Sequence, residues 1–275
     1  MQVIILGSGS PLPDPQRAGP STLVRTSAGD FLFDCGRGVL MRAAGAGSGA
    51  GAFRAVLLTH LHSDHITDLN DIYTSRWVTS FQPNPLPVYG PPGTARLLEA
   101  IGAMLEPDVR YRLTHHDDLR WPPSAAVTEV ESGPIFEEGT VRITAAPTDH
   151  APVRPTLGYR IEDAGQSVVI AGDTVPCLGL DELSADAGVL VHTVVRPDLI
   201  EQFGLPRLSD VLDYHSSVGQ AGQTAARNGV NTLLLTHLVP APAPGTEQEW
   251  LDQASAEFTG TVMVATDLLT VDAPG

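Results

Sequence analysis

Short apolar runs and longer amphipathic ones succeed each other along the whole chain. Runs suited to buried strands fall at Val3–Leu6, Thr22–Arg25, Phe31–Phe33, Ala55–Leu58, Val141–Thr144, Val168–Ala171, Val189–Val191, Thr232–Leu235 and Val262–Ala265. Most hold Val or Ile and are bounded by Gly, Pro or Asp, as strand segments are. Helical periods lie between some of them. Ile66–Val78 carries apolar residues at 66, 69, 72, 73 and 77, and Thr94–Met104 carries Leu97, Leu98, Ile101 and Met104. Val218–Asn228 and Glu247–Phe258 are further helix candidates. Strands mixed with helices throughout predict an α/β layered domain.

Three stretches break the pattern. Ala43–Ala52 is nearly all Ala, Gly and Ser and is expected to be a flexible surface loop; Gln82–Pro92 is dense in proline; Pro240–Gly245 reads as a Pro/Ala linker before the last helix. None separates independent units, so residues 1–275 are expected to form one domain.

Composition narrows the picture. No run reaches the ~18 consecutive apolar residues of a membrane span. The opening MQVIILGSGS lacks a basic segment and reads as a strand and turn, which sets the expectation of a cytoplasmic protein. Two cysteines, Cys35 and Cys177, are too few for a disulfide scaffold. All 16 basic residues are arginine against 32 acidic ones, a net charge of −16. A field of that sign repels phosphodiester polymers and anionic lipid at long range, so neither nucleic acid nor a membrane is the expected partner.

One segment outweighs the rest chemically. The apolar run Leu57-Leu58 leads through Thr59 into His60-Leu61-His62-Ser63-Asp64-His65, with four candidate metal ligands in six positions. His60 and His62, two apart, can face one point from an extended backbone, while Asp64 and His65 can be aimed at a second. Imidazoles with a carboxylate suit zinc or a similar first-row ion. Three further candidates close or follow apolar strands: His150 after Val141–Ala146, Asp173 after Val168–Ala171, and His237 at the end of Leu233–Thr236. Strand ends give ligands a rigid footing with free loop geometry. Five histidines and two aspartates are the inventory for two ions sharing one carboxylate.

At this point the sequence resembles the metallo-β-lactamase superfamily along nearly its whole length. The resemblance is carried by Leu6-Gly7-Ser8-Gly9-Ser10, Phe33-Asp34-Cys35-Gly36, the His60–His65 signature, His150, Asp173 and His237. It implies an αββα four-layer sandwich with two divalent ions, zinc first and manganese or iron as alternatives. By the same resemblance His60, His62 and His150 hold one ion, Asp64, His65 and His237 the other, Asp173 bridges, and Asp34 braces the signature loop. Within the superfamily the chain resembles the ribonuclease Z-like phosphodiesterases, through Leu6–Pro11, Gly158-Tyr159-Arg160-Ile161, Ala171-Gly172-Asp173-Thr174 and His215-Ser216-Ser217 standing 22 residues before His237. That group's pattern implies a catalytic role for His215, as for Asp64, and a possible homodimer.

Two departures from the group stand out. The long arm that grips tRNA normally lies between the positions of His150 and Asp173, an interval of only 23 residues here. The group's His-Glu-Ala-Thr element falls on His192-Thr193-Val194-Val195, so Thr193 replaces the glutamate that supports the catalytic histidine. With the charge, these departures set the expectation of a metal-dependent hydrolase acting on a small phosphodiester. Lactone, carboxylic or sulfate ester hydrolysis, tRNA 3′ processing and non-catalytic ligand binding stand as alternatives. Elsewhere, His115-His116-Asp117-Asp118 reads as a solvated loop, Tyr73, Arg76 and Trp77 as core rather than pocket lining, Arg154 and Arg196 as surface charge, and Cys177 as packing.

Overall fold

The computed structural model describes residues 1–275. A first half runs β1 (Gln2–Gly7), β2 (Ser21–Thr26), β3 (Gly29–Phe33), α1 (Val39–Gly45), β4 (Phe53–Leu57), α2 (Ser63–Ile66), α3 (Leu69–Val78), β5 (Leu86–Gly90), α4 (Thr94–His115) and β6 (Ala125–Glu129). A second half runs β7 (Gly133–Glu138), β8 (Val141–Pro147), β9 (Leu157–Asp163), β10 (Gln166–Ile170), α5 (Leu178–Ser184), β11 (Val189–Val195), α6 (Pro197–Gln202), α7 (Pro206–Ser209), α8 (Val218–Arg227), β12 (Thr232–Val239), α9 (Glu247–Ser255), β13 (Thr261–Val264) and β14 (Thr270–Asp272). The strands form two seven-stranded mixed sheets, ordered β14-β1-β2-β3-β4-β5-β6 and β13-β12-β11-β10-β9-β8-β7.

The apolar runs explain the layering. Successive side chains on a strand point to opposite faces, and here both faces are covered. Val3 and Ile5 of β1 meet Ile143, Ile161 and Val191 of the other sheet in the central core. Ile4 and Leu6 face outward beneath α1, α3 and α4, with Val39, Ile72 and Leu98. On the second sheet Val169, Leu190, Leu233 and Leu235 pack against α5, α8 and α9, with Leu180, Ala221 and Trp250. Each fully buried Leu, Ile or Val contributes about 1.5–3 kcal/mol, so these alternating runs suffice to fix the expected αββα sandwich.

The structure corrects several boundaries. Ala43–Ala52 is not all loop, since α1 extends to Gly45; Gln82–Pro92 contains β5. The expected helix Ile66–Val78 is broken into α2 and α3. Helix α4 continues past Met104 to His115 with Pro107 inside it. The carbonyl that Pro107 leaves unbonded belongs to Ala103, which is exposed and so can be solvated.

Candidate metal centre

The expected ligands converge at one end of the paired sheets. β3, β4 and β5 run parallel, as do β10, β11 and β12. Asp34, His60 and Asp173 follow the ends of β3, β4 and β10, His150 follows β8, and His237 lies near the end of β12. This is the carboxyl end of the parallel strands, where open α/β sheets place their sites. Asp64 and His65 sit on the one-turn α2.

Asp173 Oδ2 is the common point. It lies 3.3 Å from His65 Nε2 and His215 Nε2, 3.4 Å from His237 Nε2, 3.8 Å from His60 Nε2 and 3.9 Å from His150 Nε2. Two donor groups meet there. His60 Nε2, His62 Nδ1 and His150 Nε2 form one, with His62 Nδ1 3.1 Å and 3.3 Å from the other two. Asp64 Oδ2, 3.6 Å from His65 Nε2 and 3.3 Å from His237 Nε2, forms the second. His62 is the most open of the set; the others are buried.

The nitrogens are aimed by what holds their far sides. Asp34 Oδ1 accepts from the Thr59 amide and Oδ2 from Thr59 Oγ1, both at 2.8 Å, and Oδ2 also accepts from His65 Nδ1 at 2.8 Å. Asp34 itself stands at φ +57, a left-handed conformation that Asp tolerates better than most residues. His150 Nδ1 donates to the Tyr214 carbonyl at 2.8 Å and His215 Nδ1 to the Val211 carbonyl at 3.0 Å. His237 stands at φ +48 beside a register shift between β11 and β12. Such irregularities re-aim a side chain next to a site.

The electrostatics follow from burial and from the carboxylates. Burial would push the Asp173 carboxyl up, but His237 and His65 outweigh it and hold it well below the usual range. His65 moves the other way from its burial, raised by Asp173 and Asp34. Burial lowers His60 well below its ordinary value and takes His150 to about 4, leaving neutral imidazoles with a lone pair to give. Asp173 Oδ1 and His65 Nε2 are buried without a hydrogen-bond partner. Unpartnered buried polar atoms at the meeting point of nitrogen and carboxylate donors are what a divalent cation satisfies.

Residues 30–238 match the family model described as "Beta-lactamase superfamily domain". The chain is 55% identical over 278 aligned residues to "Ribonuclease Z" of Mycolicibacterium paratuberculosis, covering 100% of this chain and 99% of that protein. The chain belongs to the ribonuclease Z family of the metallo-β-lactamase superfamily. It is therefore a metal-dependent hydrolase of the ribonuclease Z type. Two solved structures share the fold. The metallo-beta-lactamase fold protein YhfI from Bacillus subtilis has TM-score 0.76 and 24% identity, with 98% of each chain covered. Human tRNase Z, short form, has TM-score 0.73 and 22% identity, with 100% of each covered.

This family membership overturns one expectation. A small-molecule substrate with nucleic acid as an unlikely partner does not stand beside a full-length relative that is a ribonuclease. Three physical reasons account for the error. Net charge sums every surface carboxylate, whereas a bound strand meets one face. The arm is no criterion either, because 278 aligned positions for a chain of 275 residues leave no room for one in the ribonuclease Z relative. Nor does Thr193 leave His215 unsupported, since the Val211 carbonyl holds that ring. Thr193 Oγ1 donates instead to the Gly172 carbonyl at 2.9 Å, next to Asp173.

The remaining candidates fall outside the cluster. Tyr73 and Trp77 donate to the Pro123 and Trp121 carbonyls, and Arg76 to the Ala50 and Phe53 carbonyls, as core residues do. Arg196 is not surface charge. It is 3% exposed, paired with Asp198 at 2.7 Å and stacked 5.5 Å over Trp250. Arg154 is exposed, 3.7 Å from Asp149. His115 to Asp118 are exposed. The acceptors supplied by Val211 and Tyr214 escape a reading of the sequence, because backbone carbonyls carry no residue signature. No helix is long and apolar enough to cross a membrane.

Proposed function

We propose that this chain, acting as one hydrolase domain in the cytoplasm, is an endonuclease that hydrolyses a phosphodiester bond near the 3′ end of precursor tRNA. The placing of two donor groups and His215 around Asp173 Oδ2 carries the chemistry. The end-to-end similarity to ribonuclease Z supports the substrate.

In this reading His60, His62 and His150 hold one ion, Asp64, His65 and His237 a second, and Asp173 serves both. Bound divalent ions, zinc by the imidazole-rich donor set with manganese or iron as alternatives, would supply the positive charge that polarises a phosphoryl oxygen and acidifies water. The chain's own residues do the rest. Asp34 keeps the His65 Nδ1 proton, so that Nε2 is free to give a lone pair, and the Tyr214 carbonyl does the same for His150. Asp64 orients the attacking water. Both His215 nitrogens face oxygen acceptors, the Val211 carbonyl and Asp173 Oδ2. From Nε2, beside Asp173, His215 gives a proton to the departing 3′ oxygen.

The test is metal analysis of the purified protein paired with cleavage of a precursor tRNA at low salt. The expected result is about two ions per chain and a single cut at the 3′ side. A protein that binds the ions but leaves precursor tRNA intact while hydrolysing bis-p-nitrophenyl phosphate would refute the RNA substrate.

A further inference from the structure

An imidazole that gives a lone pair from one nitrogen keeps its proton on the other, and that proton needs an acceptor. The Asp34 carboxylate provides one for His65 and the Tyr214 carbonyl one for His150. His60 is different. Its Nδ1 meets a hydroxyl, Thr59 Oγ1, at 3.0 Å. A hydroxyl donates or accepts, so this contact alone does not say which His60 nitrogen carries the proton.

The other neighbour of that hydroxyl decides it. Asp34 Oδ2 lies 2.8 Å from the same Oγ1, and a carboxylate offers only lone pairs. The hydroxyl has one proton, and Asp34 takes it. Oγ1 then has only lone pairs to show His60, so the 3.0 Å contact is a hydrogen bond only when His60 Nδ1 is the donor. The protons point one way, from His60 Nδ1 to Thr59 Oγ1 and from Thr59 Oγ1 to Asp34 Oδ2. His60 Nε2 keeps its lone pair, 3.1 Å from His62 Nδ1 and 3.8 Å from Asp173 Oδ2.

The fold leaves the hydroxyl no other direction. The Thr59 amide donates to Asp34 Oδ1 at 2.8 Å. From the second sheet, the Leu157 amide donates to the Thr59 carbonyl at 2.9 Å and Tyr159 Oη to the Leu58 carbonyl at 2.6 Å. The Thr59 methyl lies against Gly172, where a Cβ would stand 2.9 Å from Thr59 Cβ and 3.1 Å from its Cγ2. A β-branched side chain is stiff about its first bond, and here both branches are occupied. Thr59 is buried, which keeps bulk water from competing for the hydroxyl.

We propose that Thr59 is a positioning residue, a hydroxyl relay that carries the pull of Asp34 to His60 and fixes which nitrogen of that ring faces the metal centre. One carboxylate then orients one histidine in each donor group, His65 directly and His60 through Thr59. The inference rests on the reading that the two groups hold divalent ions. A hydrogen bond from the far nitrogen raises the basicity of the ligating one, and a chain of two bonds is polarised along its length. Loss of the hydroxyl therefore weakens the ion that His60 would hold with His62 and His150.

The test uses the zinc-loaded protein with two variants, Thr59→Val, which keeps the shape and removes the hydroxyl, and Thr59→Ser, which keeps the hydroxyl and removes the methyl. Zinc affinity is read by competition with a chelating dye, and the His60 ring by two-bond proton–nitrogen correlation spectra. Thr59→Val is expected to hold at least one ion about 10–100-fold less tightly, with Thr59→Ser within about threefold of the wild type. The wild-type His60 ring is expected to carry its proton on Nδ1. Zinc affinity in Thr59→Val within about threefold of the wild type overturns the relay. So does a Thr59→Ser protein as weak as Thr59→Val, because the methyl and not the hydroxyl would then matter. A wild-type His60 protonated on Nε2 also overturns it, and that measurement stands even where Thr59→Val does not fold. If the wild type binds no zinc, the metal reading has failed instead. The ring spectrum of the ion-free protein then judges the relay: a proton on His60 Nδ1 supports it, and one on Nε2 overturns it.

Discussion

Two clusters in this chain look alike on paper. His60 to His65 and His115 to Asp118 both put imidazoles and carboxylates within a few positions. In the first, the side chains are anchored and answered. Asp34 grips Thr59 and His65, and His150, Asp173 and His237 arrive from distant strand ends to face them. In the second, His115 ends α4 and the next three residues turn through solvent, the two rings 4.9 Å apart with no third donor beside them. The lesson is that a metal centre is not made by a dense cluster. It is made by rigid backbone that fixes some donors and by tertiary contacts that bring the remainder.

Four variants probe that contrast. Asp173→Ala removes the atom on which both donor groups converge. It is expected to abolish phosphodiester turnover, by roughly 10³-fold or more, and to lower the bound metal seen by elemental analysis. Near-normal turnover and metal content would show that the two groups do not depend on one carboxylate. His215→Ala keeps the two donor groups and removes the proposed proton donor. Turnover should fall about 10²–10⁴-fold with metal content preserved, and a substrate with a good leaving group such as p-nitrophenolate should lose less than RNA does. Asp34→Ala touches no reacting atom, yet should weaken metal affinity about 10–100-fold by releasing His65 and Thr59, as read by competition with a chelator. The paired change His115→Ala with His116→Ala should alter neither metal content nor turnover beyond about twofold, since exposed side chains away from any network are nearly neutral. Loss of an ion in that variant would mean the exposed cluster is a site after all.

The sequence made the fold class legible because both faces of its central strands are buried, so their apolar runs are continuous and bounded. It did not reveal β6, β7 or β14, because these are edge or near-edge strands with half-exposed positions that carry little apolar signal. Nor did it place α1 within the Ala/Gly-rich stretch, where Val39 and Ala43 are the only residues the helix buries. Among the candidate ligands, His60, His62, Asp64 and His65 were evident from spacing alone.

His150, Asp173 and His237 could be picked out singly as strand ends, but residue spacing cannot state that three points separated by many tens of residues share a centre. Only the pairing of β10 with β11 and of β11 with β12, and the packing of the two sheets face to face, decided that. The same holds for the supports of His150 and His215. Residue types and periodicity are local properties, legible one segment at a time. A backbone carbonyl that aims a ring, or a carboxylate such as Asp267 that closes a loop 259 residues away, acts across the fold, and its identity as an acceptor or a clamp exists only once the chain is packed.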